Sequence, residues 1–203
     1  FKTMPAPFIG GRPRPEMLTQ TLAAHLGLAV DYRQTRSPKR AWANIADFVD
    51  AGQPVGVKLN CRFLDYFTSE VDFAGHYVTV HGYDDDRVFV VDTDQQGGAL
   101  STGRASFEAG RRWKGPMASN ALTWTIDAPA TAIDWRRTLT AAITANAREY
   151  LNPPIANFGP AGIRKTAAMV QAWPDRSAAD DIAQIGTLME RGGTGGGLFR
   201  CFY

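Results

Sequence analysis

Apolar residues change their spacing along this chain, and the spacing predicts where it coils and where it extends. In PEMLTQTLAAHLGL, Met17, Leu18, Leu22 and Leu26 recur at helical intervals between Pro15 and Gly27, so a short helix is expected there. AVDYRQT (29–35) reads as a short strand. Ser37 and Pro38 open a second helix, KRAWANIADFVDAG; Trp42, Ile45, Ala46 and Val49 share one of its faces, and Gly52 stops it. PVGVKLNCRF (54–63) has the β-branched content and alternation of a strand. Tyr77 to Tyr83 and Arg87 to Val91 are two more strands, joined by Asp84-Asp85-Asp86 into a hairpin. Ala105 to Arg112 is expected to be helical, and NALTWTID (120–127) alternates as a strand.

From Ala128 onward the pattern is helical. APATAID is linker-like and places Asp134 as the N-cap of the long helix WRRTLTAAITANAREYL. NPPIANFGP breaks that helix, and AGIRKTAAMVQAWP begins another that Trp173-Pro174 ends. SAADDIAQIGTLMERGG is a third, with Ser177 as N-cap and Gly192 as the stop. The organisation is therefore α+β over residues 1–127, with a sheet that includes an antiparallel hairpin, followed by a helical C-terminal domain over 128–203. Residues 1–14 are dense in Pro and Gly and are expected to be irregular. The chain opens on FKTMPAPFIGGRPRP and stops straight after the hydrophobic run LFRCFY, so both domains are expected to be truncated here, N-terminally and C-terminally.

Composition narrows the classes of function. The 203 residues are 44% hydrophobic, enough for one good core or two small ones. Lys and Arg number 22 against 20 Asp and Glu, and the net charge of +2 gives no strong pull toward nucleic acid or a membrane surface. No apolar run approaches the ~20 residues of a membrane span. A cytoplasmic protein with neither nucleic acid nor membrane as partner is expected. Cys61 and Cys201 are the two cysteines, with no CxxC and no Cys/His cluster, which points to free thiols and to no metal.

The chemistry concentrates in GHYVTVHGYDDDRVFVVDTD (75–94). With a three-residue loop Tyr83 faces Arg87, Val78 faces Asp92, and His76 faces Asp94. His76 and Asp92 are then diagonal neighbours on one side of the sheet; a two- or four-residue loop would put them on opposite faces. Such a pair suits general base work, the carboxylate fixing the imidazole tautomer. The alternative is a partly exposed His at a strand start and an Asp beginning a turn. Asp94 competes with Asp92. His81 falls on the other face and reads as structural, and His25 as a packing or surface residue. As a nucleophile Cys61 has Arg62 beside it but, at a strand end, no helix N-terminus to lower its pKa. Cys201 is a weaker candidate, and Thr68 and Ser69 lack a Gly-x-Ser-x-Gly elbow.

The hairpin resembles the His…Asp hairpin of papain-clan cysteine enzymes, in particular their C39-peptidase-like branch. Together with PAPFIGGRP near the start it resembles the N-terminal domain of the butirosin biosynthesis protein H family. GIRKTAAMVQAWP and GGTGGGLFR resemble the uncharacterised C-terminal domain that accompanies it. The resemblance covers nearly the whole chain. It implies a papain-like core and a cysteine-dependent acyltransferase of antibiotic biosynthesis. The acyl or aminoacyl group would pass from an acyl carrier protein to a small-molecule amine. No cofactor is implied beyond the phosphopantetheine that carries the substrate. His76 would be the general base and Asp92 its orienting partner. The family's cysteine opens a helix upstream of a segment like PAPFIGGRP; it has no counterpart here, and Cys61 does not match it. A peptidase or amidohydrolase of the same clan, and a catalytically silent binding module, are the alternatives.

RGGTGGGLFR (191–200) can aim backbone N–H groups at an anion, though it lacks the Lys of a P-loop; the alternative is a close-packed turn. Arg12, Arg14, Arg33, Arg36, Lys39 and Arg40, and in the same way Arg111, Arg112 and Lys114, either receive an acidic carrier protein or, as such charges more often do, form a solvated face.

Overall fold

Alternating valines build the centre of the sheet. Val55, Val57 and Leu59 of one strand, Val78 and Val80 of the next and Val88 and Val90 of a third are all buried. The computed structural model of the protein describes residues 17–68, 72–127 and 132–191. Its strands are β1 (Ala29–Arg33), β2 (Val55–Leu59), β3 (His76–Tyr83), β4 (Arg87–Val91), β5 (Ala99–Gly103) and β6 (Thr123–Asp127). They form one sheet in the order β1-β6-β2-β3-β4-β5, with every neighbouring pair antiparallel.

Helices α1 (Met17–Leu26), α2 (Pro38–Val49) and α3 (Arg104–Arg112) belong to the same unit. Ile45 of α2 and Phe107 of α3 are fully buried and join the valine cluster. Each such side chain contributes about 1.5–3 kcal/mol by leaving water. Helix α2 starts where its sequence says: Ser37 accepts the N–H of Arg40, and Pro38 occupies the first turn.

The expected α+β class, with an antiparallel sheet and a helical C-terminal part, is what the chain forms. Among the element boundaries that differ, three have a clear physical cause. The strand expected over 54–63 stops at Leu59, because the Asn60 side chain accepts the N–H of Arg62 and turns Cys61–Phe63 into one turn of 3-10 helix. The strand expected over 120–127 starts at Thr123, since Asn120 and Ala121 are left-handed, with φ of 50° and 51°. β5 has no β-branched pattern to announce it; it extends because all five of its residues pair along β4.

The chain divides into two compact units between Ala132 and Ile133. The second holds α4 (Trp135–Leu151), α5 (Gly159–Val170) and α6 (Ala179–Arg191). Asp134 caps α4 by accepting the N–H of Arg137 at 3.1 Å. Trp173 lies past the end of α5, buried, in a turn whose N–H bonds to the carbonyl of Val170. No described helix is long and apolar enough to cross a membrane.

Arg111 corrects one expectation. Arg112 and Lys114 are exposed, but Arg111 is buried with 3% of its surface accessible. Its guanidinium donates to the carbonyls of Ala41 (3.0 Å) and Ala121 (2.8 Å) and to Thr123 Oγ1 (2.7 Å), tying α3 to α2 and to the start of β6. Burial lowers its pKa to about 10, Glu108 working in the opposite sense. Arg111→Ala removes three buried hydrogen bonds and opens a hole, and is expected to destabilise the protein by about 3 kcal/mol in urea unfolding. Arg111→Lys is expected to lose roughly half as much, since one ammonium cannot reproduce the planar fork.

Candidate active site at the β3–β4 hairpin

The tip of the hairpin is set by one carboxylate. Asp84 Oδ1 accepts the N–H groups of Asp86 (2.9 Å) and Arg87 (2.7 Å), an Asx turn. Asp84 N–H donates to the Arg87 carbonyl at 3.0 Å, and Tyr83 pairs with Val88. The expected pairing of Tyr83 with Arg87 is not formed; four residues, 84–87, separate the paired positions. On a regular ladder that even number would send His76 and Asp92 to opposite faces. The ladder is not regular. Gly82 pairs with Phe89 but Val80 pairs with Val90, so His81 is an extra residue, a β-bulge in β3. The bulge reverses the parity again. Thr79 then pairs with Val91, and one residue further on Val78 comes opposite Asp92. His76 and Asp92 share the buried face of the sheet.

The geometry there is tight. His76 Nε2 lies 2.8 Å from Asp92 Oδ2, and both residues are 8% accessible. Tyr66 Oη donates to the same Oδ2 at 2.8 Å, and the Thr93 N–H donates to Oδ1 at 2.7 Å. The Phe67 ring stands edge-on to the imidazole with centroids 5.0 Å apart. Burial alone raises the Asp92 pKa, but the bond and charge of His76, then the Thr93 N–H and the Tyr66 phenol, outweigh it and hold the carboxyl below its usual range. An ionised Asp92 accepts only, so Nε2 carries the proton and the lone pair of a neutral imidazole sits on Nδ1.

The segment after β2 supplies the rest of the surroundings. The fully buried Asn60 donates to Asp72 Oδ1 at 2.9 Å and accepts from the N–H groups of Arg62 and Phe73, each at 3.1 Å. It thereby ties the Cys61–Phe63 turn to the stretch that leads into His76. Cys61 opens that turn, so it does stand at a short helical N-terminus; the sequence reading, which placed it at a strand end, is corrected here. Its thiol is nonetheless buried and its pKa pushed up, by burial first and by the Asp92 charge, with backbone N–H groups working against them. Among the described residues Cys61 makes no hydrogen bond to His76.

Other candidates lie apart. Asp94 is exposed in the turn Asp94–Gln96, His81 is exposed on the bulge, and His25 is half-buried at the end of α1. Thr68 is exposed. Arg33 pairs with Asp31 at 2.7 Å and lies over Phe48, while Arg36, Lys39 and Arg40 are exposed. Ser69, Cys201, Arg12, Arg14, PAPFIGGRP and the glycine loop 192–198 lie outside the described residues. Among the described residues no group of three His, Cys, Asp or Glu is arranged to hold a metal. Tyr66 and Asn60 were not foreseen; nothing in YFTSE or LNCRF marks either residue as a partner of the hairpin.

Residues 1–93 match the family model for butirosin biosynthesis protein H, N-terminal. Over this segment the chain is similar to that family. Residues 105–203 match a domain of unknown function, DUF4872. No curated protein matches the chain significantly. The butirosin H match contains both His76 and Asp92 and ends one residue after the carboxylate. The two matched segments share one sheet: β6, from the second, pairs with β1 and β2 of the butirosin H segment.

Asp92 gives a pH test of this site. Its folded pKa is depressed, so its contribution to stability is present above the unfolded value of ~3.9 and is lost as pH falls through the lower folded value. The wild type is expected to lose stability progressively below about pH 4, and Asp92→Asn to flatten that part of the slope, as read by urea unfolding across the acid range.

Proposed function

We propose that the protein is a cysteine-dependent acyltransferase of specialised metabolism. It moves an acyl or aminoacyl group from a carrier-protein thioester to an amine acceptor, with His76 as general base and Asp92 as its orienting partner. The observation that carries this reading is the buried Nε2–Oδ2 bond of 2.8 Å, which leaves Nδ1 as the basic nitrogen. The butirosin H match supports antibiotic biosynthesis as the setting, and the carrier-protein and amine chemistry is what the resemblance to that family implies.

In this reading the nucleophile is a cysteine on a segment preceding PAPFIGGRP, as the resemblance implies, and Cys61 is a structural thiol. His76 Nδ1 takes the proton of the nucleophilic thiol. The thiolate attacks the thioester carbonyl; the new S–C bond forms, the bond to the carrier sulfur breaks, and that sulfur leaves with the imidazolium proton. The amine then attacks the acyl-enzyme and passes its proton to neutral His76, an N–C bond replaces the S–C bond, and the enzyme thiolate is released. Asp92 holds the ring in the Nε2–H tautomer and stabilises the imidazolium each time it forms.

The test is mass spectrometry of the full-length protein with an acyl-pantetheine thioester and an amine. One acyl adduct on a cysteine and transfer to the amine are expected, with the rate reduced at least about 10²-fold in His76→Ala and in Asp92→Asn. An adduct resolved by water rather than amine would make the protein a hydrolase. A full-length protein that neither acylates nor reacts with a thiol probe in a His76-dependent way would leave a binding module.

A further inference from the structure

The acyl-transfer reading uses His76 and Asp92 and leaves one half-buried donor without a task. The Tyr66 phenol reaches the hairpin from a position 26 residues earlier in the chain and ends on Asp92 Oδ2 at 2.8 Å, the oxygen that already holds His76 Nε2 at 2.8 Å. We infer that Tyr66 is a positioning residue that tunes the pair: by sharing Oδ2 it fixes the carboxylate and moderates the carboxylate's pull on the Nε2 proton. This rests on the reading of His76 and Asp92 as a base and its orienting partner.

Oxygen geometry supports the assignment. A carboxylate oxygen has two lone-pair directions, and on Oδ2 one receives the imidazole and the other the phenol. Oδ1 is engaged by the Thr93 N–H at 2.7 Å, so the carboxylate cannot turn without breaking a second bond. Two donors on one oxygen draw on the same charge, so each weakens the other's bond. The ring of Tyr66 packs on the core without needing its hydroxyl, and the neighbouring Phe67 supplies the apolar wall against His76. The hydroxyl's bond is to Asp92. The titratable groups around the carboxylate are His76 from β3 and Tyr66 and Cys61 from the segment after β2. The phenol remains a neutral donor, because burial first, and then the Asp92 bond and charge, push its ionisation well above the ordinary tyrosine value.

Nuclear magnetic resonance reads this without reference to turnover. In Tyr66→Phe the titration midpoint of the Asp92 carboxyl carbon is expected to move up, and the Nε2–H proton of His76 to move downfield as its bond to Oδ2 tightens. In an Asp92→Asn background, Tyr66→Phe is expected to leave the His76 proton where it was. Should Tyr66→Phe fail to fold, 3-fluorotyrosine placed at position 66 keeps the shape and strengthens the donor, and is expected to move both signals the opposite way. An unmoved Asp92 midpoint in either variant overturns the inference. So does a His76 shift of equal size in the Asp92→Asn background, which would mean that Tyr66 does not act through the carboxylate. A protein that shows these shifts yet forms no acyl-enzyme would refute the acyl-transfer reading alone.

Discussion

An ionised carboxylate buried at the end of a valine-lined sheet has to be met by hydrogen-bond donors, and the surroundings of Asp92 are organised by that demand. A buried charge left unpaired is strongly destabilising. Here the donors arrive from three places: the adjoining N–H of Thr93, the imidazole of His76 across the hairpin, and the phenol of Tyr66 from the segment after β2. That segment is held in turn by Asn60, and Asn60 by α3. Gly110 of α3 approaches so closely that a Cβ there would lie 2.9 Å from the Asn60 carbonyl oxygen. Helix, turn, phenol, carboxylate and imidazole thus form one continuous set of contacts.

The two segments that match separate families are physically one domain where the sheet is concerned. The second supplies α3, whose Phe107 and Arg111 are both buried, and β6, which joins β1 to β2. Arg111 bonds to Ala41 of the first segment and to Ala121 and Thr123 of the second. A hairpin by itself is marginal in water. The site on β3 and β4 therefore depends on residues that lie beyond the butirosin H match.

The position of His76 relative to Asp92 shows how a local reading can reach the right face by the wrong route. Three residues between Tyr83 and Arg87 would give the observed face on a regular ladder. The ladder instead has an even loop and one extra residue at His81, and the two changes of parity cancel. The aspartates at the turn announce the turn, but Asp84's two N–H bonds fix its length. The bulge has no signature in HYVTVHGY beyond a glycine at Gly82.

Local pattern in the sequence determined the helix starts with their caps at Ser37 and Asp134, the valine face of β2, β3 and β4, and the hairpin. Each of these follows from residues a few positions apart, whose spacing decides which way side chains point. Only the tertiary structure decided that Tyr66 joins the pair, that Arg111 is an internal strut and that 99–103 is a strand. The partners in the first two cases stand 26 and 70 residues apart, and β5 extends because β4 offers it hydrogen bonds. Contacts at such separations are created by closing the sheet and leave no period in the chain.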